Sequence, residues 1–265
     1  MSQGKGQFIW YDVLTSDPPS AEFFYCDVIG WTAEDSDLAD GYTVFLAGQE
    51  RVAGLRSITE EAKAIGAPAS WRGYIGVEDV DLDVECLKAA GGLVYHAPDD
   101  IQRVGRFAVC ADPQGALFIL FKGAGDAGPR PASAGTPGRV GWHELHARDG
   151  AEAFAFYETL FGWKKLETFD MGAAGTYQIF STGDGSAGGI LPEIPQTQVP
   201  FWLYYFNVEG IEAALERVKT DGGQVLFGPA PVPGGNLIAH CLDPQGALFA
   251  LVEPKKSPNP DRESG

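Results

Sequence analysis

Two acidic residues stand at matched places beside tryptophans. Asp12 follows Trp10 by two residues in the apolar run Phe8–Thr15, and Glu144 follows Trp142 by two in Val140–Ala147. Side chains alternate along an extended strand, so residues two apart share a face. If the tryptophans face a cavity, so do Asp12, Glu144 and, two residues further on, His146. By the same alternation Tyr74 shares a face with Arg72, and Tyr205 with Leu203. An aromatic wall carrying a few polar groups suits a small organic ligand. Trp10, Arg72, Tyr74, Trp142 and Tyr205 are therefore the expected ligand-binding side chains, and Asp12, Glu144 and His146 the expected catalytic ones. Glu144 with His146 suits either an acid–base pair or the start of a displaced metal site. The first run has Leu14 in place of His146, so any such site exists once. The competing reading makes the tryptophans core filler and the carboxylates rim charges. His96, His143 and His240 show no ligand spacing and are expected at the surface or in packing.

One motif is set aside. Gly183-Asp-Gly185-Ser-Ala-Gly188 matches the dinucleotide pattern G-x-G-x-x-G, which requires a preceding strand and a following helix. Here it falls between two expected strands, and its glycines serve a hairpin.

These residues lie in a duplicated chain. Trp10, Asp17, Ala21, Phe24, Tyr25, Gly30 and Trp31 recur as Trp142, Asp149, Ala153, Phe156, Tyr157, Gly162 and Trp163, at a constant offset of 132. Trp71, Gly91-Gly92 and Asp112-Pro-Gln-Gly-Ala-Leu-Phe118 recur as Trp202, Gly222-Gly223 and Asp243–Phe249, at an offset of 131. Such self-similarity sets the architecture before any other feature is read. The copies are expected at residues 6–122 and 139–256. A linker rich in Gly, Ala and Pro is expected at 123–138, and a disordered polar tail at 257–265.

Each copy has one order of elements. An opening strand, Phe8–Thr15 or Val140–Ala147, is followed by a helix whose Ala21, Phe24, Tyr25 and Val28 share one face. Gly30 stops that helix. Strands follow at Tyr42–Ala47 and Val52–Ser57, matched by Tyr177–Thr182 and Ala187–Leu191, then at Arg72–Val77 or Leu203–Val208. A second helix carries Val80, Val84 and Leu87, or Ile211, Leu215 and Val218, and ends at the Gly-Gly pair. Closing strands flank Asp112-Pro113-Gln114-Gly115, where Pro second and Gly fourth suit a type I turn. The turn accounts for that motif, to which no chemistry is assigned. The class is α+β, with two β-α-β-β-β units per copy and four in the chain.

The length of 265 residues holds two such copies. No apolar run is long enough to span a bilayer, and Met1–Gly6 lacks the apolar core of a signal peptide. A cytoplasmic protein is expected. A net charge of −17 argues against nucleic acid and anionic membrane partners. Cys26, Cys86, Cys110 and Cys241 form no CxxC pair and are expected as buried free thiols.

The run Asp17…Ala21…Phe24-Tyr25…Gly30-Trp31, with Gly91-Gly92 and Asp112-Pro-x-Gly115, twice over, resembles the vicinal oxygen chelate superfamily of glyoxalases, bleomycin resistance proteins and extradiol dioxygenases. Val104-Gly105-Arg106-Phe107-Ala108-Val109 before the turn resembles the duplicated actinobacterial branch of 27-kDa antigens and hydroxylase-like proteins. The resemblance implies paired modules whose curved sheets surround two cavities, each built from both halves. It also implies four metal ligands per site, mostly His and Glu. They map to Trp10, Gly54, Arg72 and Ile119, and to Trp142, Gly189, Leu203 and Ala250. None of these side chains is a metal ligand, so no metal and no cofactor is expected.

Three functions follow. The first is a metal-free binder of a small organic molecule, for sequestration or detoxification. The second is an enzyme, a lyase, isomerase or oxygenase, acting on reactive carbonyls or aromatic metabolites. The third is an interaction protein with vestigial cavities. A monomer of two modules or a weak homodimer is expected.

Overall fold

The computed structural model describes residues 4–37, 41–124, 135–172, 175–183, 185–192 and 199–255. Most of the expected linker and the whole of the expected tail lie outside the described residues. In the first copy the elements are β1 (Phe8–Thr15), α1 (Pro18–Ile29), β2 (Thr32–Asp35), β3 (Tyr42–Ala47), β4 (Glu50–Ser57), α2 (Glu60–Ala64), β5 (Ser70–Gly76), α3 (Val80–Ala89), β6 (Leu93–Ile101), β7 (Gly105–Ala111) and β8 (Leu117–Gly123). The second copy contains β9 (Val140–Ala147), α4 (Gly150–Phe161), β10 (Lys164–Asp170), β11 (Thr176–Ser181), β12 (Gly188–Pro192), β13 (Phe201–Asn207), α5 (Ile211–Thr220), β14 (Gln224–Pro231), β15 (Leu237–Leu242) and β16 (Leu248–Glu253).

Local chemistry sets the ends of these elements. The Asp17 carboxylate caps α1 by accepting from the Ser20 amide at 3.3 Å, and Asp149 caps α4 through the amides of Ala151 and Glu152. Both helices stop at a left-handed glycine, Gly30 with φ 85° and Gly162 with φ 71°, where a side chain would be strained. The two short or polar edge strands, β2 and β10, escaped the sequence reading. Their residues are almost all exposed or half-exposed, so they show no alternation of apolar and polar residues.

Each copy folds into one eight-stranded mixed sheet, in the order β2-β3-β4-β1-β5-β8-β7-β6 and β10-β11-β12-β9-β13-β16-β15-β14. The opening strand therefore lies near the middle, parallel to β4 and antiparallel to β5. This corrects one expectation: the strand rows of each concave face come from a single copy, not from both halves.

The copies join elsewhere. Tyr25 of α1 donates to Asp243 of the second copy at 2.9 Å, and Tyr157 of α4 donates to Asp112 of the first at 3.2 Å. Trp71 and Trp202 donate to those same tyrosine hydroxyls at 2.9 and 3.0 Å. Trp31 donates to the carbonyl of Gly138, and Trp163 to that of Gly6. Each bond has its counterpart under the duplication. The repeated Asp-Pro-Gln-Gly turn thus does more than turn. Its buried aspartate accepts two local amides and a tyrosine of the other copy. Phe24 packs edge-on to Phe249, Phe156 on Phe118, and one apolar core runs through both copies.

Two cysteines, Cys110 and Cys241, are buried as expected, with burial pushing both thiols up to about 12. Cys26 is only half-buried, and Cys86 is exposed, because it falls on the solvent face of α3.

Candidate functional site

Cross-strand register places the sequence-predicted residues together. Asp12 lies beside Gly54 on β4 and Arg72 on β5, and Trp10 lies beside Tyr74, which neighbours Ile119 on β8. These side chains share the concave face. Tyr74, Ile119 and Phe121 form there a small apolar cluster of their own, against which Trp10 and Phe107 pack. Trp10 is half-buried and stands outside the main core, so it is not core filler.

Asp12 is 1% exposed, and so is not a rim charge. It is held instead by three donors. Trp10 Nε1 donates to Oδ1 at 2.9 Å, Tyr42 Oη donates to Oδ1 at 2.6 Å, and Tyr74 Oη donates to Oδ2. Trp10 also donates to Tyr42 Oη at 2.8 Å. A buried carboxylate is tolerable only when so satisfied. The burden falls on the tyrosines too: burial, then the Asp12 charge, pushes both phenols well above their ordinary range.

The second copy repeats the arrangement. Glu144, 8% exposed, accepts from Tyr177 at 3.1 Å and from Tyr205 at 2.9 Å, and Trp142 donates to Tyr177 at 2.7 Å. Two histidines extend it. His146, 1% exposed, faces Glu144 Oε1 through Nε2 at 3.0 Å and stacks on Phe201 with ring centroids 4.5 Å apart. His240 Nε2 meets Tyr205 Oη at 2.8 Å. Burial alone would raise the Glu144 carboxyl, but His146, His240 and Tyr205 together hold it below the usual range. Because a carboxylate only accepts, His146 presents Nε2–H to it. Its Nδ1 is buried with no hydrogen-bond partner. His240, expected at the surface or in packing, belongs to this site; burial lowers its pKa and the Glu144 charge partly restores it.

His143 and His96 do not belong to it. His143 stacks on Phe8 at 4.3 Å in the joint between copies, and His96 is exposed beside Phe107.

Sequence reasoning missed Tyr42 and Tyr177. Their signal is that each stands twelve residues before a glycine, Gly54 or Gly189, in matched strands. A Cβ on Gly54 would lie 1.9 Å from Tyr42 Oη and 2.6 Å from Asp12 Oδ1, and one on Gly189 would lie 2.2 Å from the Tyr177 ring. The glycines leave room for the tyrosine that completes each cage. That geometry also bears on the chelate the resemblance implies. Where a ligand side chain would rise from β4 or β12, a tyrosine fills the space. The other positions offer an indole, a guanidinium and aliphatic groups. Among the described residues no cluster of three His, Cys, Asp or Glu side chains could hold a metal ion. The residues present do not fit the family metal.

A cleft of about 610 Å³ lies elsewhere, between the copies, around Gly48, Gly138 and Arg217. It has no aromatic wall and none of the repeated acids, so the concave faces remain the candidate sites.

Comparison with known proteins gives a consistent picture. Residues 139–251 match the Glyoxalase/Bleomycin resistance protein/Dioxygenase superfamily, and residues 9–121 match the Glyoxalase-like domain. The chain is 32% identical over 249 residues to CFP32 of Mycobacterium tuberculosis, named a candidate glyoxylase, covering 92% of this chain and 94% of that protein. It is 33% identical over 259 residues to the anthracycline biosynthesis protein DnrV of Streptomyces peucetius, covering 92% of each. The fold is similar to the Mn(II)-bound glyoxalase of Novosphingobium aromaticivorans, with TM-score 0.67 and 18% identity over 94% of this chain and 82% of that one. It is also similar to the 2,3-dioxygenase LapB of Pseudomonas sp. KL28, with TM-score 0.66 and 18% identity over 99% and 97%.

Proposed function

The chain belongs to the Glyoxalase/Bleomycin resistance protein/Dioxygenase superfamily, and on that premise we propose that it binds a small organic molecule on each concave face without the family metal. One observation carries the reading: the same tryptophan–acid–tyrosine–tyrosine cage stands on both faces, with its indole half-exposed. A buried carboxylate that three polar groups hold in place is costly to build, and the fold's core does not require it. The cage presents a flat aromatic surface with a fixed acceptor behind it, which suits a planar aromatic or carbonyl-bearing ligand. The relatives named for anthracycline biosynthesis direct attention to polycyclic aromatics.

A specific feature favours an enzymatic second reading for the second copy. Glu144 orients His146, whose Nδ1 makes no hydrogen bond, the arrangement of a histidine general base with its orienting acid. Such a pair could move a proton on a bound carbonyl or phenol.

The test is a thermal-shift panel of aldehydes, polycyclic aromatics and glycopeptides, run with and without EDTA. A ligand present at a hundred times its Kd adds about 2.7 kcal/mol, or roughly 5–10 °C for a chain of this size. The response is expected to survive EDTA. Asp12→Asn is expected to remove it from one face and Glu144→Gln from the other. A panel without a stabilising ligand, or a response abolished by EDTA, rejects the reading.

A further inference from the structure

The two faces share their cage but differ in charge around it. On the first, Arg56 of β4 lies in register with Leu14 of β1 and Tyr42 of β3, on the face that carries Asp12 and Tyr74. Arg72 of β5 lies in register with Asp12 itself. On the second face the corresponding positions, in register with His146 and Glu144, are Leu191 and Leu203. The fold therefore builds the same sheet with leucine at both places, and the arginines answer to something other than folding.

Neither guanidinium is matched. Arg56 makes no hydrogen bond or ion pair among the described residues, and its Nε is buried without a partner. Arg72 has a single hydrogen bond, from Nη1 to the carbonyl of Trp71 at 3.1 Å. Each group carries five N–H donors. The carboxylate in register with Arg72, Asp12, already has both oxygens occupied by Trp10, Tyr42 and Tyr74. Burial lowers the Arg72 pKa. Two half-buried cations thus stand around one acid that is already satisfied, in a chain whose net charge is −17. Desolvated cations with unspent donors are costly unless an anion completes them.

Resting on the proposed ligand-binding role, we infer that the first cavity is an anion-selective site: Arg56 and Arg72 take the carboxylate of an aromatic acid whose ring lies against Trp10, while the second cavity takes a neutral ligand. Shape comes from the shared aromatic cage and selectivity from the two arginines.

The probes are 2-naphthoate and its uncharged analogue 2-naphthamide. Each is titrated calorimetrically into the full chain and into Arg56→Leu and Arg72→Leu, variants that introduce the residue found at the matching places of the second copy. Side-chain Nε–Hε NMR signals of the arginines are followed in parallel. One naphthoate per chain is expected to bind about tenfold or more tighter than naphthamide, since charge-assisted bonds are made only with the carboxylate. Either leucine variant is expected to weaken naphthoate binding about tenfold or more and so abolish that preference. The Arg56 and Arg72 signals are expected to move with naphthoate alone. Equal affinity for both probes, or naphthoate binding that survives both variants, overturns the anion inference but leaves the ligand-binding role standing. If neither probe binds, and the panel above also yields no ligand, both fail together.

Discussion

Removing the Tyr25 hydroxyl tests how the copies are held together. In the wild type this one oxygen accepts from Trp71 Nε1 at 2.9 Å and donates to Asp243 Oδ2 at 2.9 Å, and all three residues are buried. Tyr25→Phe keeps the ring, which packs edge-on against Trp71 and Phe249, and deletes only the bridge. Two buried groups then lose a partner. An unsatisfied indole N–H costs about 1–3 kcal/mol, and loss of a bond to a charged acceptor about 1.5–3 kcal/mol. Asp243 keeps its amide donors from Gln245 and Ala247, so the sum is set near the lower ends, at about 3 kcal/mol. For a chain of this size that is a fall in Tm of roughly 6–12 °C. Tyr157→Phe breaks the matched bridge between Trp202 and Asp112 and is expected to cost a similar amount. The penalty has a sign in pH. Burial already raises the Asp243 carboxyl, and the tyrosine bond counters that rise. Without the bond the folded state holds the proton more tightly, so the penalty is larger at pH 7 than at pH 4. Differential scanning calorimetry at both pH values reads these effects, with exposed Tyr95→Phe as the control. A fall below about 2 °C in either bridge variant, or a penalty larger at pH 4, refutes the reasoning.

Two further predictions concern the same joint. Residues 1–124 expressed alone expose the apolar surface that meets α4 and the second sheet, and are expected to aggregate or pair with themselves; a monomeric half with a cooperative melt contradicts the shared core. His143 is held neutral, with Nδ1–H on the carbonyl of Ala187 at 2.8 Å and Nε2 accepting from Tyr11 at 2.6 Å, and burial lowers its pKa from 6.5 to about 4. A lowered histidine leaves stability intact above its ordinary pKa. That stability is lost as pH falls from about 6.5 towards 4, by about 3 kcal/mol in all. Urea melts of the wild type and His143→Gln should diverge over that window and run parallel above it.

Much of the site was legible along the chain. Strand alternation put Asp12 beside Trp10 and Glu144 beside Trp142, and the structure has both pairs on the concave faces. Alternation is a local rule, set by backbone geometry over two residues, and needs no tertiary contact. The duplication was legible for the same reason, since it requires only the chain compared with itself. What the sequence could not decide is which strands lie side by side. Tyr42 reaches Asp12 across thirty residues, and His240 reaches Tyr205 across thirty-five. Those pairings depend on sheet order and register, in which a one-residue slip turns every side chain to the other face. The pairing of α1 with the second sheet is likewise invisible locally, since either copy offers the same apolar surface. Tertiary structure chose the crossed arrangement, in which Tyr25 meets Asp243 and Tyr157 meets Asp112. The sequence by itself determined the module, its repetition and the acid beside each tryptophan. Only packing brought up the tyrosines and His240 that complete the hold on those acids, because they come from strands far apart along the chain.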